Sequence, residues 1–168
     1  MLNTGDLLFH SGTSWISRLI RWVTGGRMSH VGLIYSPDKV FETNFTWVTA
    51  KVRPLSGYKG KKITCLRLKT IVRPTRDKIV KLCDKYNGFP YSYWDCAANF
   101  IGAPLPEKMR KKFVAAVGNK RFAKCDEISM RILWEATGYA PFKQYESHTP
   151  NSLYKMCKKS RDFVEVER

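Results

Sequence analysis

His30 is the first residue whose type and position point to chemistry. It lies in Ser29-His30-Val31-Gly32-Leu33-Ile34-Tyr35, an otherwise apolar run with the composition of a β-strand. An imidazole in such a run needs a hydrogen-bonding partner or a chemical role, because an unpaired polar group is costly in a core. A hydrogen-bonded core histidine is the alternative. His10 and His148 lie in turn-like contexts and are expected at the surface.

Cys125 has the context of a reactive cysteine. It stands in Lys124-Cys125-Asp126-Glu127-Ile128, directly before a predicted helix, where backbone N–H groups and the helix dipole favour a thiolate. Asp126 and Glu127 disfavour the thiolate, although acidic residues are also common in a first helical turn. An inert, buried thiol is the alternative. Four further cysteines lack this context: Cys65, Cys83, Cys96 and Cys157.

Glu42 is the carboxylate that could orient His30. It lies near the end of the next predicted strand, Lys39 to Thr43, and hairpin-like pairing would bring it to the imidazole. A carboxylate there would fix the ring tautomer and favour the imidazolium, as the third member of a nucleophile-base-orienter set does. A solvated strand glutamate is the alternative. The candidate catalytic residues are therefore Cys125, His30 and Glu42.

The elements that must position these residues predict an α+β fold. A strand at Gly5 to Phe9 is followed by a helix from Trp15 to Val23, which ends at Gly25-Gly26 before the His30 strand. Further strands are predicted at Lys39 to Thr43, Trp47 to Val52, Ile63 to Leu68 and Phe163 to Glu167. Further helices are predicted from Thr75 to Gly88, Tyr93 to Ile101, Pro106 to Val117 and Asp126 to Thr137.

The order of these elements favours an antiparallel sheet packed against helices, because the strands come early and the helices late. The chain has 168 residues and shows no internal repeat or low-complexity linker, so we expect one domain over residues 1–168. Its five cysteines are odd in number and irregularly spaced, which argues against a disulfide scaffold and a paired zinc module.

Taken in order, several segments resemble the circularly permuted branch of the NlpC-type papain-like superfamily, the permuted papain-like amidases with bacterial, phage and poxvirus relatives. In that family a Gly-Asp strand, a Ser-His-Val-Gly strand, a strand glutamate and a Cys-Ser-Glu helix start follow one another. The matching segments here are Gly5-Asp6-Leu7-Leu8-Phe9, Ser29-His30-Val31-Gly32, Phe41-Glu42 and Cys125-Asp126-Glu127. Weaker matches are Arg53-Pro54-Leu55 with Tyr58, Gly88-Phe89-Pro90-Tyr91 and Thr149-Pro150-Asn151-Ser152-Leu153.

This resemblance implies a permuted papain-like fold, an antiparallel sheet or barrel with the nucleophile at a helix N-terminus. It also implies a thiol-dependent hydrolase, an amidase or cysteine peptidase, in which Cys125, His30 and Glu42 form a triad and an acyl-enzyme thioester is formed. The bond would be an amide or peptide bond, with cell-wall peptide as one substrate class. The chain departs from the family at Asp126, which replaces a small serine, and in Tyr91-Ser92-Tyr93-Trp94, which lacks the common aspartate.

The chain is strongly basic. Lys and Arg number 30 against 14 Asp and Glu, which gives a net charge of +16. Such an excess attracts nucleic acid, anionic lipid or acidic polymer. With no recognised nucleic-acid motif, an anionic cell-envelope or membrane surface is one candidate partner besides a peptide, amide or acyl-lipid substrate, and a solvated basic surface without a partner is the alternative. The stripe Trp15, Ile16, Leu19 and Ile20, flanked by arginines, could lie on an anionic membrane or could be core.

Two other function classes remain open. Relatives resembling lecithin:retinol acyltransferase make a lipid acyl hydrolase or acyltransferase at a membrane surface the first alternative, and a non-catalytic basic binding protein is the second. No metal or organic cofactor is implied. Since neither a transmembrane run nor a signal peptide is evident, we expect a cytoplasmic location, with phage or virion association also compatible.

Overall fold

A six-stranded antiparallel sheet forms the centre of the computed structural model, which describes residues 1–43, 49–91, 109 and 124–167. Its strands are β1 (Leu7–His10), β2 (His30–Ser36), β3 (Lys39–Glu42), β4 (Lys51–Pro54), β5 (Ile63–Leu68) and β6 (Phe163–Val166). The strand order is β4-β3-β2-β1-β5-β6, and every neighbouring pair is antiparallel.

Within the described residues, four α-helices accompany the sheet: α1 (Trp15–Thr24), α2 (Arg73–Lys85), α3 (Cys125–Thr137) and α4 (Pro150–Lys159). The same residues include two 3₁₀ helices, Leu55–Tyr58 and Ala140–Ser147. The predicted α+β class with an antiparallel sheet is confirmed. The helices predicted at Tyr93 to Ile101 and Pro106 to Val117 lie outside the described residues apart from Met109, as do Cys96 and the start of the strand predicted from Trp47.

The two faces of the sheet carry different side chains because successive strand residues point to opposite sides. Leu7, Phe9, Val31, Leu33 and Phe41 belong to the larger core, which also includes side chains of α2, α3 and α4. The opposite face contributes residues to a smaller cluster with the 3₁₀ helix Leu55–Tyr58; they are Leu8, Ile34, Val40 and Cys65. Strand β2 thus has apolar packing on both faces, and His30 stands at its first position.

The opening Gly-Asp pair has a structural role. Asp6 is 1% exposed and accepts two hydrogen bonds of 2.8 Å from the Arg67 guanidinium on β5. It also accepts one from the Asn3 backbone N–H at 2.8 Å. Gly5 has a φ of 92°, and a Cβ there would lie 2.8 Å from Ile79 Cδ1. Both residues therefore fix the start of β1 rather than contribute a reactive group.

The loop between α1 and β2 is held by Asn151 of α4. Its side chain accepts from the Arg27 backbone N–H at 3.2 Å and donates to the Thr24 carbonyl at 3.4 Å. Gly26 passes so close that a Cβ would lie 1.8 Å from Asn151 Cγ. Asn151 therefore holds the chain a few residues before His30. Thr149 in turn caps α4 through its side chain, which fixes the position of Asn151 in the first turn of that helix.

Candidate active site

The His30–Glu42 contact follows from the pairing of β2 and β3. Leu33 pairs with Phe41 and Ile34 with Val40, so continuing this register places Glu42 across from Gly32. A Cβ on Gly32 would lie 3.4 Å from Glu42 Cβ and 2.7 Å from Val40 Cγ2. Because Gly32 has no side chain, His30 reaches diagonally past it, and its Nε2 lies 2.7 Å from Glu42 Oε2.

Tyr58 is the second partner of Glu42. Its hydroxyl donates to Glu42 Oε2, and both side chains are buried. Tyr58 ends the 3₁₀ helix that follows β4, and β4 pairs directly with β3. The carboxylate is therefore held from two sides, by an imidazole on β2 and by a phenol beyond β4.

Cys125 meets His30 from the other side. It is the first residue of α3, follows the N-cap Lys124 and is 7% exposed. Its side chain lies close enough to the His30 ring to raise the pKa of that ring. Because Nε2 of that ring contacts Glu42, Nδ1 is the nitrogen left for the thiol. The structure thus brings the three predicted residues together in the order Cys125, His30, Glu42.

The charges of this group are coupled. Burial acts to lower the pKa of His30, but the hydrogen bond and charge of Cys125, followed by those of Glu42, raise it to about 10. Burial acts to raise the pKa of Glu42, but the His30 and Tyr58 hydrogen bonds and the charges of His30 and Arg53 lower it overall. Burial and the adjacent Glu42 charge raise the pKa of Tyr58. The arrangement therefore favours an imidazolium beside a carboxylate, with Tyr58 as a neutral donor.

A cavity of about 1090 Å³ borders the group. Helix α1, the 3₁₀ helix Leu55–Tyr58 and the N-termini of α3 and α4 all contribute to its walls. His30, Glu42, Tyr58 and Cys125 line it together. The reacting groups are therefore placed at a space large enough for a small organic or peptidyl ligand.

His10 corrects a prediction. It was expected at the surface, but it is the last residue of β1, pairs in register with His30 and lines the cavity. Its ring packs edge-on against Tyr58 with centroids 5.4 Å apart. Burial, then the charges of His30 and Lys61, lower its pKa to about 4, so it is neutral near pH 7. The antiparallel pairing of β1 with β2, which are separated in the chain by α1, places His10 opposite His30.

Asp126 also lines the cavity, directly after the thiol. It is 1% exposed; its Oδ1 accepts a weak hydrogen bond from Cys125 Sγ at 3.9 Å, and its Oδ2 lies 3.9 Å from Lys124 Nζ. Burial raises the pKa of this carboxyl. Asp126 therefore lies beside Cys125 without contacting the far side of the His30 ring.

The other thiols of the described residues are separate from this group. Cys65, Cys83 and Cys157 are buried. Burial raises the pKa of Cys157 to about 12 and that of Cys83 still further. Within residues 1–43, 49–91 and 124–167, no group of three or more His, Cys, Asp and Glu side chains is arranged to hold a metal ion.

The fold is similar to that of a solved metalloprotein. YiiX from Escherichia coli O157:H7, described as DUF1105, superposes with a TM-score of 0.63 over 99% of this chain and 97% of that chain. The two sequences are 17% identical, so this similarity shows the fold alone. No protein-family model matches the chain, and no curated protein matches it.

Proposed function

We propose that this protein is a cysteine hydrolase that cleaves an amide or peptide bond through an acyl-enzyme thioester. Cys125 is the nucleophile, His30 the general base and acid, and Glu42 the residue that orients His30. One observation carries the proposal: Cys125 acts on the His30 ring from one side, Glu42 Oε2 lies 2.7 Å from its Nε2, and all three line one cavity. Nucleophile, base and orienter in that order are the shared feature of thiol and serine hydrolases.

The chemistry follows from the positions of the protons. His30 Nδ1 takes the proton of Cys125 Sγ, and the thiolate forms a bond to the substrate carbonyl carbon. When the tetrahedral intermediate collapses, the carbon–nitrogen bond breaks and His30 gives its proton to the leaving amine. Water then attacks the thioester while His30 accepts its proton, which releases the carboxylic acid and restores the thiol.

Two groups can stabilise the negative oxygen of the tetrahedral intermediate. The Cys125 backbone N–H lies in the first turn of α3, where N–H groups have no partner within the helix. His10 lines the same cavity and is neutral near pH 7, so its imidazole N–H can donate a hydrogen bond without a competing charge. We assign both groups to the oxyanion.

We further propose that the fold is a permuted papain-like one. The base comes first in the chain, the orienting carboxylate second and the nucleophile last, while the three side chains meet in space. The early sheet and the late helix that begins at Cys125 support this arrangement.

Acyl-enzyme capture tests the proposal without knowledge of the natural substrate. The protein is incubated with p-nitrophenyl acetate, and each cysteine-containing peptide is analysed by mass spectrometry for a hydroxylamine-labile acetyl group. We expect acetylation at Cys125 and continuous release of p-nitrophenol. We expect His30→Ala to slow acylation by about 10²–10⁴-fold, the usual contribution of a general base.

Cys65→Ala is the matched control, because Cys65 is a buried cysteine on β5 that belongs to the smaller apolar cluster. It should acylate at Cys125 as the parent chain does, whereas Cys125→Ala should release no p-nitrophenol above background. Equal turnover by Cys125→Ala and the parent would overturn the proposal. Cell-wall peptides and simple acyl amides are then the first substrates to screen.

A further inference from the structure

Helix α1 exposes two large aromatic side chains. Trp15 is 71% exposed and Trp22 is 78% exposed, and they are seven residues apart, about 10 Å along the helix. Arg18 is exposed and Leu19 half-buried. At 100° per residue these four side chains lie within about 100° of one another. We call this set, Trp15, Arg18, Leu19 and Trp22, the tryptophan face.

The other side of α1 faces the cavity. Ser17, Ile20, Arg21 and Thr24 line it, and these positions lie opposite the tryptophan face on a helical projection. Arg21 also donates to Ser11 Oγ at 2.8 Å. The inner side of α1 therefore lines the cavity, and the tryptophan face is turned toward solvent.

The surroundings of this face are positively charged. Residues 7–37 contain no Asp or Glu, whereas Arg18, Arg21 and Arg27 lie within or just after α1. Arg27 is exposed, as is Arg18. The chain as a whole carries a net charge of +16. Exposed tryptophans with flanking arginines combine the two features by which a helix binds an anionic lipid surface in the interfacial plane.

We propose that the tryptophan face docks the protein on an anionic lipid bilayer. Trp15, Leu19 and Trp22 enter the boundary between headgroups and acyl chains, and Arg18 and Arg27 contact lipid phosphates. Tryptophan prefers this boundary because its ring is apolar and its N–H is polar. Leu19 distinguishes this surface from a single-strand nucleic-acid platform, because an aliphatic side chain partitions into lipid but gives a base no ring to stack on.

Vesicle binding tests this proposal independently of any activity. The full chain is sedimented with phosphatidylcholine vesicles that contain or lack phosphatidylglycerol. We expect binding to the anionic vesicles with a blue shift of tryptophan fluorescence. Trp15→Ala/Trp22→Ala should weaken the partition coefficient by about 10²-fold, roughly tenfold for each partly inserted ring. Arg18→Gln should weaken it about fivefold, the usual contribution of one basic residue near an anionic surface.

Val72→Ala/Val164→Ala is the matched control, since Val72 and Val164 are exposed apolar side chains elsewhere, 59% and 42% exposed. It should bind vesicles as the parent does. The tryptophan variant should keep the parent's circular dichroism and its turnover of p-nitrophenyl acetate. Equal vesicle binding by the tryptophan variant and the parent would overturn the proposal. It would also be overturned if the tryptophan changes abolished binding of a single-stranded oligonucleotide and left vesicle binding intact.

Discussion

Replacing Glu42 by Gln removes one negative charge from the group and keeps the shape of the side chain. Glu42 is 2% exposed. Its Oε2 lies 2.7 Å from His30 Nε2 and also accepts a hydrogen bond from the Tyr58 hydroxyl. A hydrogen bond to a charged group contributes about 1.5–3 kcal/mol. We therefore expect Glu42→Gln to lower the free energy of unfolding by about 2 kcal/mol near pH 6. For a chain of this size the melting temperature would fall by about 4–8 °C.

The loss in free energy of unfolding caused by Glu42→Gln should depend on pH. The folded pKa of His30 is raised from 6.5 to about 10, so its share of the stabilisation is complete below pH 6.5 and is lost as pH rises toward 10. The folded pKa of Glu42 is lowered from 4.5, so its share is complete above pH 4.5 and is lost as pH falls through the folded pKa. The difference between parent and variant should be largest between pH 4.5 and 6.5.

Glu135→Gln is the matched control for this measurement. Glu135 also accepts a tyrosine hydroxyl, from Tyr86 at 2.6 Å, and faces Lys85 and Arg131 instead of a histidine. Thermal melts of both variants and the parent across pH should show a loss that shrinks above pH 6.5 for Glu42→Gln alone. Because Cys125 also raises the pKa of His30, the result that would refute the charged His30–Glu42 pair is a Glu42→Gln loss that is undiminished once the pH has passed 10.

Three further changes test the supports of the group. Tyr58→Phe should cost about 1.5–3 kcal/mol in a urea melt, because it removes the hydroxyl bond to a buried carboxylate. Gly32→Ala should slow acylation of Cys125 by p-nitrophenyl acetate, because a Cβ 2.7 Å from Val40 Cγ2 displaces β3 and Glu42 with it; equal rates would exclude this coupling. Asp6→Ala should cost about 1.5–3 kcal/mol in the same melt, because it removes the charged acceptor of two Arg67 hydrogen bonds, while a parent-like midpoint would contradict this ion pair.

The local part of the site could be predicted from the sequence. His30 and Glu42 lie on adjacent strands joined by a tight turn, Ser36-Pro37-Asp38, so their proximity follows from a hairpin. The position of Cys125 at a helix start also follows from local signals, and α3 begins there. The proximity of Cys125 and His30, in contrast, joins two residues that are far apart in the sequence. No local pattern encodes it, and the resemblance to a known family supplied that expectation.

Two features of the structure depend on register and packing that the sequence pattern does not fix. The predicted first strand ended at Phe9, and β1 extends to His10, which is why His10 was assigned to the surface. The helical stripe of α1 was correctly periodic, but its period does not tell which side is covered. Ile20 faces the cavity, whereas Trp15 stays exposed.

None of the helices in the described ranges has the length and hydrophobicity that a membrane crossing needs. The domain prediction, one domain over residues 1–168, stays a prediction.

The rate of Cys125 alkylation by iodoacetamide near pH 6, compared between the parent and His30→Ala, tests the central claim most directly. If His30 holds the Cys125 proton, the parent should react about 10–100-fold faster, because the thiolate is the reactive species. Removing the imidazole opens space around a thiol that is only 7% exposed, so reduced access cannot account for a slower variant. Cys65 and Cys157 serve as internal controls. Equal rates at Cys125 in both chains would contradict the account.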